Sequence, residues 1–264
     1  MPNHQIDHFL MHYELGDCPL DGAVLFIHGN LASNHWWHPL ISEWQKLVPD
    51  KKGGKAILAE WRGNGKSSAP QKLSELHPKR LALDYIHLVQ ALGFKKVHVV
   101  GHSTGGSIAL YAALEAPQLF DKIVLLDSVG SRGIAFDKSM YDAFTQMSKD
   151  RNFCASIIAM TIKGVDTQSP LFQQLVDDAF HIAPINWHAV PDTLKKIDIS
   201  NRLRDISHPV LVLHGEDDSI LPLADSKELA EHLPNGQFML LNGHGHSTNI
   251  ENPAKLAKII NDFL

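Results

Sequence analysis

The sequence predicts an α/β protein built on a mostly parallel sheet of about eight strands, with helices on both faces. Short apolar runs bounded by Gly, Pro or Asp alternate with longer stretches of helical periodicity, which is typical of βαβ units. The middle runs are continuously apolar apart from His98, as expected of strands that are covered on both faces. One of them, Val97–Val100, leads directly into Gly101-His102-Ser103-Thr104-Gly105 and then into a helical pattern. At 264 residues the chain is long enough to bury a full core.

The individual elements follow from these periodicities. The candidate strands are Ile6–Glu14, Ala23–Ile27, Ala56–Ala59, Val97–Val100, Ile123–Leu126, Val210–Leu213 and Phe238–Leu241. The candidate helices are Asn34–Leu47, Pro78–Leu92, Ser103–Ala116, Ala224–His232 and Pro253–Phe263.

The strand–turn–helix around Ser103 predicts a nucleophile elbow. In a G-x-S-x-G turn the serine adopts strained backbone angles and its hydroxyl projects above the sheet. Gly101 and Gly105 leave room for the backbone segments that cross there. A serine hydroxyl needs an adjacent base, which is itself oriented by a third group, to act as a nucleophile at neutral pH. On this scaffold an acid and then a histidine follow the serine in the chain.

Both partners are present after later strands, in the required order. The loop after Val210–Leu213 offers Glu216, Asp217 and Asp218, and composition alone does not choose among them. The loop after Phe238–Leu241 offers His244 and His246 with the same ambiguity. Asp127, at the end of Ile123–Leu126, is a rival acid. His28 and His102 precede the acid in the chain, so we interpret them as structural histidines.

An oxyanion hole is the remaining requirement of acyl transfer. One donor is the backbone N–H of Thr104, the residue after the nucleophile. The second is expected in the loop that follows Ala23–Ile27, where we assign it to the backbone N–H of Asn30. In the same region we expect Leu31 and Trp36 to contact the substrate.

The segment 131–207 interrupts the βαβ rhythm. It has helix-like apolar spacing, several aromatic residues and no clear buried strand, so we predict a helical cap inserted into a core formed by 1–130 and 208–264. The alternative is an ordinary pair of helices that cover the sheet. Under the cap hypothesis its aromatic residues line the substrate pocket, with Phe136 and Phe144 in contact with the substrate.

Composition narrows the class of function. The net charge is −5 and no basic stretch stands out, which argues against nucleic acid and anionic membranes as partners. No apolar run reaches membrane-spanning length and the N-terminus does not resemble a signal peptide. Two cysteines without a pairing framework favour a reduced, cytoplasmic protein. The 17 histidines show no metal-ligand spacing, so we expect neither a metal nor a cofactor.

Several of these motifs together resemble the α/β-hydrolase family, in particular its small, cap-bearing, esterase-like members. The family's oxyanion signature His-Gly-x matches His28-Gly29-Asn30. Its Asp-x-Arg-Gly-x-Gly-x-Ser motif matches residues 60–67, with Glu60 in place of the aspartate. The elbow is similar to that of cofactor-free, haloperoxidase-like esterases. His28-Gly29-Asn30 followed by Trp36 and Trp37 also resembles haloalkane dehalogenases, but those use an aspartate nucleophile where this chain has Ser103.

The resemblance also chooses among the open alternatives. The family's acid motif, Gly-x-x-Asp with a proline four residues on, selects Asp218, which is followed by Pro222. Its base motif, Gly-His followed by Glu-x-Pro, selects His246. The resemblance therefore implies a Ser103–His246–Asp218 hydrolase of small to medium carboxylic esters. The alternatives are a lactone, amide or carbon–carbon substrate with the same triad, or a binding protein without catalysis.

Overall fold

One eight-stranded sheet organises the chain. The computed structural model describes residues 2–47 and 53–264. The strands are β1 (Asn3–Ile6), β2 (Phe9–Cys18), β3 (Ala23–Ile27), β4 (Gly54–Ala59), β5 (Val97–His102), β6 (Phe120–Leu126), β7 (Val210–Gly215) and β8 (Gly236–Leu241). Their spatial order is β1-β2-β4-β3-β5-β6-β7-β8. The pairings from β4 through β8 are parallel, whereas β2 pairs antiparallel with both β1 and β4. The predicted mostly parallel sheet is confirmed.

The prediction of one strand over Ile6–Glu14 is wrong, because two strands meet there. β1 ends at Ile6, the chain turns at Asp7 and His8, and β2 begins at Phe9. Asp7 has a φ of +52°, a left-handed conformation that Asp tolerates better than most residues. Without a glycine in this two-residue turn, the sequence lacks the usual hairpin signal.

Helices cover both faces of the sheet. They are α1 (His38–Leu47), α2 (Pro78–Ala91), α3 (Thr104–Glu115), α4 (Lys138–Met147), α5 (Arg151–Met160), α6 (Pro170–Phe180), α7 (Asn186–Leu194), α8 (Leu223–His232), α9 (Thr248–Glu251) and α10 (Pro253–Phe263). Buried side chains of α2, α3 and α8 form one hydrophobic core with the sheet, and those of α1 and α10 form a second. The predicted helix Asn34–Leu47 is a 3₁₀ turn over Asn34–Trp37 followed by α1.

Four consecutive helices, α4 to α7, lie between β6 and β7; we call them the cap helices. They have a hydrophobic cluster of their own, which includes Phe172, Trp187 and Met147. The cluster also contains Leu31 and Trp36, from the segment after β3. The helical content predicted for 131–207 is therefore present, while the division into core and cap units stays a prediction. Within the described ranges, no helix is long and apolar enough to cross a membrane.

Candidate active site

Ser103 occupies a strained turn between β5 and α3. Its φ of +55° and ψ of −120° are angles that non-glycine residues rarely adopt, and such strain concentrates at functional sites. The turn is tight enough to require both flanking glycines. A Cβ on Gly101 would lie 2.5 Å from the carbonyl oxygen of Gly105, and one on Gly105 would lie 2.1 Å from that of Ile27. These contacts explain why glycine occurs on both sides of Ser103.

The carboxylate of Asp218 is paired with the ring of His246. His246 Nδ1 lies 2.8 Å from Asp218 Oδ2, and the other carboxylate oxygen accepts the backbone N–H groups of Ile220 and Leu221 at 2.7 and 3.2 Å. Burial alone would raise the pKa of Asp218, but the bonds from His246 and the two backbone groups hold this pKa below its ordinary value. The carboxylate is therefore ionised and its imidazole partner donates from Nδ1, which leaves Nε2 available for a proton.

Ser103 and His246 line the same cavity, which has a volume of about 130 Å³. The described residues show no hydrogen bond between Ser103 Oγ and His246. In unliganded hydrolases such contacts are often long and tighten when the substrate binds. The structure thus brings together the serine, the histidine and the carboxylate that were predicted from the sequence.

Two backbone N–H groups that line the cavity with Ser103 are available to donate hydrogen bonds to a negatively charged oxygen. Asn30 and Thr104 both line the cavity, and neither backbone nitrogen donates a hydrogen bond among the described residues. Thr104 is the first residue of α3, so the helix also presents its positive end there. Asn30 belongs to residues 28–33, which we call the oxyanion loop. Its neighbour Leu31 has a φ of +57°, so this loop is also strained.

The other candidate acids and histidine of the two loops are engaged elsewhere. Asp217 forms a surface ion pair with Lys163 of the α5–α6 connection. Glu216 accepts the backbone N–H of Gly243 at 2.9 Å. The ring of His244 lies 3.7 Å from a carboxylate oxygen of Glu251. None of these side chains lines the cavity that holds Ser103.

The rival acid Asp127 is close to Asp218 but faces a different partner. It is fully buried, and its Oδ1 accepts the backbone N–H of Gly215 at 2.7 Å. Burial, followed by the charge of Asp218, raises its pKa well above the ordinary value. Asp127, His214 and Asp218 offer ligand atoms within 4.8 Å of one another, the one such group in the described part of the chain. Asp218 is bonded to His246, Asp127 to the backbone of Gly215 and His214 to Ser226 Oγ, so each member of this cluster already has a hydrogen-bond partner of its own.

His28 and His102 are buried, as structural histidines should be. Burial lowers the pKa of His28 to about 4 and that of His102 to about 3, so both rings are neutral. His28 stacks on Trp61 at 5.5 Å. His102 stacks on Trp36 at 6.0 Å, and its Nε2 contacts the carbonyl oxygen of His246.

The walls of the cavity are mostly apolar. The four residues that we expected to contact the substrate, Leu31, Trp36, Phe136 and Phe144, all line it. Sequence reasoning missed a further set of lining side chains: Val129, Ile134, Met140, Ile157, Ile158, Thr161, Leu194, Ile220 and Leu221. No Lys, Arg, Asp or Glu lines the cavity within the described ranges. Other cap aromatics, such as Phe172 and Trp187, pack inside the cap instead.

Comparison with known families settles the affiliation. A family model described as "alpha/beta hydrolase fold" matches residues 22–156, and a second one, described as "TAP-like protein", matches residues 185–264. The chain belongs to the α/β-hydrolase family. The family's fold is confirmed by an enol-lactonase from Burkholderia xenovorans LB400, which superposes with a TM-score of 0.86 at 16% identity over 99% of each chain. An esterase from Exiguobacterium antarcticum gives a TM-score of 0.85 at 18% identity, over 98% of this chain and 96% of that one.

A curated relative within the family is more similar in sequence. A protein of Caulobacter vibrioides named "Putative carbamate hydrolase RutD" is 29% identical over 267 aligned positions, covering 96% of this chain and 95% of its own. The similarity thus extends over nearly the whole α/β-hydrolase chain, including the segment of the cap helices.

Proposed function

We propose that this α/β-hydrolase is a serine hydrolase that cleaves small to medium, uncharged carboxylic esters through an acyl-enzyme intermediate. One observation carries the proposal. Ser103 sits in a strained elbow that opens into an apolar cavity, and the same cavity is lined by His246, whose ring is bonded to Asp218. This arrangement supplies a nucleophile, a base and a group that orients the base.

The proposed mechanism assigns one proton path. His246 Nε2 accepts the Ser103 proton as Oγ attacks the ester carbonyl carbon, and the resulting imidazolium is stabilised by the Asp218 carboxylate. The imidazolium then returns the proton to the departing alkoxide, so the alcohol leaves neutral. A water molecule, deprotonated by the same nitrogen, attacks the acyl-enzyme carbonyl and releases the acid with Ser103 restored.

Two hydrogen-bond donors are assigned to stabilise the negative charge that develops on the carbonyl oxygen. The backbone N–H groups of Asn30 and Thr104 donate no hydrogen bond to any residue that the structure describes, and both line the cavity with the nucleophile, which supports this role. Loss of one such donor typically slows catalysis by roughly a hundredfold or more.

The nature of the walls supports an uncharged substrate. Because no Lys, Arg, Asp or Glu side chain of the described residues lines the cavity, a carboxylate or ammonium group on the substrate would be desolvated without an ion-pair partner. Phe136, Phe144 and Leu31 give the apolar contact that an acyl chain or an alcohol group requires.

A carbamate is the second candidate substrate, because the name of the Caulobacter relative points to one. A carbamate ester has the same carbonyl and the same leaving oxygen, so the proposed residues would act on it by the same steps. Lactones, amides and carbon–carbon bonds are further substrates that the same triad could attack, and a role in binding alone is a fourth alternative.

The test is hydrolysis of p-nitrophenyl esters of increasing acyl length, with p-nitrophenyl carbamates in parallel, by wild type and by Ser103→Ala. Ester turnover that is lost in the variant supports the proposal, and the best acyl length measures the pocket. Turnover of carbamates alone transfers the assignment to the second candidate. Ester turnover that persists in Ser103→Ala overturns the role of Ser103. Labelling of Ser103 by a fluorophosphonate without turnover of either series rules out these substrates and leaves the triad intact.

A further inference from the structure

A carboxylate of the cap helices is bonded directly to the oxyanion loop. Asp178, on α6, accepts a hydrogen bond from Ser33 Oγ at 2.5 Å, and its Oδ2 also lies 2.7 Å from His35 Nδ1. Gln174, one turn earlier on α6, donates to the other carboxylate oxygen at 3.0 Å. Ser33 is completely buried and the Asp178 side chain is nearly so. Burying a carboxylate is costly unless it is hydrogen-bonded, so a helix that merely covered the loop would present an apolar side chain here.

The oxyanion loop, to which Asp178 is bonded, has a strained backbone that requires stabilising contacts. Leu31 adopts a φ of +57° between Asn30, whose backbone N–H is the proposed oxyanion donor, and Ser33. Backbone strain of this kind persists only where the surrounding structure over-determines the conformation. The position of the Asn30 N–H therefore depends on what anchors the loop on the far side of Leu31.

Other anchors of this segment come from the core. Trp61 Nε1 donates to the carbonyl oxygen of His28 at 3.3 Å, before the strained turn, and the others lie beyond Ser33. The side-chain amide of Asn34 donates to the carbonyl oxygen of Leu58 at 3.2 Å. The amide of Asn249 donates to the carbonyl oxygen of Trp36 at 2.8 Å. Among the described residues, Asp178 makes the only side-chain hydrogen bonds from the cap helices to residues 28–37. Ser33 is thus the residue of the oxyanion loop to which the cap helices hydrogen-bond.

We propose that Asp178 is a positioning residue for the oxyanion hole. Its hydrogen bond to Ser33 fixes the strained turn at Leu31 and thereby the direction of the Asn30 N–H. Catalysis therefore depends on the position of α6 relative to the oxyanion loop. The inference rests on the proposed function of Ser103 and Asn30. It predicts an effect on the transition state, where the oxyanion exists, and little effect on binding of the ground state.

The first experiment compares Asp178→Ala with Asp177→Ala, using the p-nitrophenyl ester that wild type hydrolyses best. Asp177 is a matched control: it is the adjacent residue on α6 and pairs with Arg151 inside the cap at 2.7 Å. We expect Asp178→Ala to lower kcat by roughly tenfold or more, with KM within about twofold of wild type. Asp177→Ala should keep both constants. Equal kcat values for the two variants would overturn the proposal.

A double-mutant cycle tests whether Asp178 acts through Ser33. We expect Ser33→Ala to lower kcat to a similar degree, and the double variant to be about as slow as the slower single variant. Effects that multiply would show that the two residues act independently, contrary to the proposal. Asp178→Asn, which keeps an oxygen to accept from Ser33, should recover most of the kcat lost in Asp178→Ala. If Asp178→Ala does not fold, the kcat values of Asp178→Asn and Ser33→Ala provide the test. A low kcat of Ser33→Ala together with a kcat of Asp178→Asn near that of wild type supports the positioning role of Asp178.

Ser103→Ala separates this inference from the function on which it rests. Activity that survives in Ser103→Ala contradicts the proposed function itself. Activity that is lost there, while Asp178→Ala behaves as Asp177→Ala does, contradicts the positioning role alone.

Discussion

The Nε2–H of His102 donates a hydrogen bond to the main-chain carbonyl oxygen of His246 at a distance of 2.8 Å. The residue immediately before the nucleophile is therefore bonded to the backbone of the residue proposed as its base. The two rings lie 4.9 Å apart. Because burial lowers the pKa of His102 to about 3, the ring stays neutral and adds no positive charge beside His246. The bond ties β5 to the loop that follows β8.

The first prediction is that His102→Phe lowers kcat/KM by roughly tenfold while the protein remains folded. Phenylalanine keeps a ring of similar size but removes the donor, which leaves the His246 carbonyl without a partner and the base less well oriented. Steady-state kinetics with a short-chain p-nitrophenyl ester measure the effect. His208→Phe is the control. His208 Nε2 also donates to a main-chain carbonyl oxygen, that of Pro117 at 2.8 Å, but neither His208 nor Pro117 lines the cavity. A similar loss of kcat/KM in both variants would refute a role for His102 in orientation.

The second prediction concerns Asp127. In the unfolded chain this carboxyl ionises near pH 3.9, whereas in the folded protein its pKa is raised well above that value. Folding therefore takes up a proton, and stability falls as the pH rises from about 4 toward the folded pKa. Asp127→Asn removes this penalty and keeps an acceptor for Gly215. We expect its Tm at pH 7.5 to exceed that of wild type by at least about 2 °C, with the gap closing as the pH approaches 4.

The same variant decides between the two acids. Asp127→Asn should retain most of the hydrolase activity, while Asp218→Asn should lose nearly all of it, because of these two acids Asp218 is the one that contacts His246. The reverse order of activities would transfer the role of acid to Asp127.

The third prediction is a pH dependence of the link between cap and oxyanion loop. The hydrogen bond to Asp178 raises the pKa of His35 above its ordinary value of 6.5, with smaller contributions from Glu60 and Glu14. The stabilisation is complete below pH 6.5 and is lost as the pH rises through the raised pKa. We expect the Tm difference between wild type and His35→Gln to shrink between pH 6 and pH 9. A difference that is constant over this range would show that protonation of His35 does not contribute.

The fourth prediction tests the geometry of the elbow. Gly105→Ala should yield little folded protein, because the new methyl group would lie 2.1 Å from the carbonyl oxygen of Ile27, a backbone atom that cannot move aside easily. Gly53→Ala is the control, since a Cβ there has no neighbour within 4 Å. Soluble yield and circular dichroism give the comparison, and normal folding of Gly105→Ala would disprove the crowding.

The parts of the site that could be predicted from sequence are those with local signals. Ser103, Asp218 and His246 each follow a strand in the expected order, and the glycines around Ser103 have steric reasons that the structure supplies. The choice of Asp218 over Asp217 depended on family resemblance. The structure gives an independent reason, since Asp217 pairs with Lys163 at the surface.

The parts that could not be predicted depend on contacts between distant segments. Asp178 and Ser33 are 145 positions apart, and nothing in the acidic pair Asp177–Asp178 shows which of the two faces the loop. Ile157, Ile158 and Thr161 line the cavity because of the position and orientation of α5. Helical periodicity in the sequence does not specify either of these. The turn at Asp7 was missed for a different reason, because an aspartate there carries a left-handed conformation that usually belongs to glycine.

The hydrophobic cluster of the cap helices includes Leu31, Ala32 and Trp36, which lie outside the cap in sequence. This has a consequence for engineering substrate scope by exchanging caps between homologous enzymes. A chimera that replaces only the residues of the inserted helices would lose the wall against which this stretch rests, together with its carboxylate anchor. Residues 31–36 should therefore be exchanged together with the cap helices. Chimeras that include both segments should be active more often than chimeras in which the cap helices alone are exchanged.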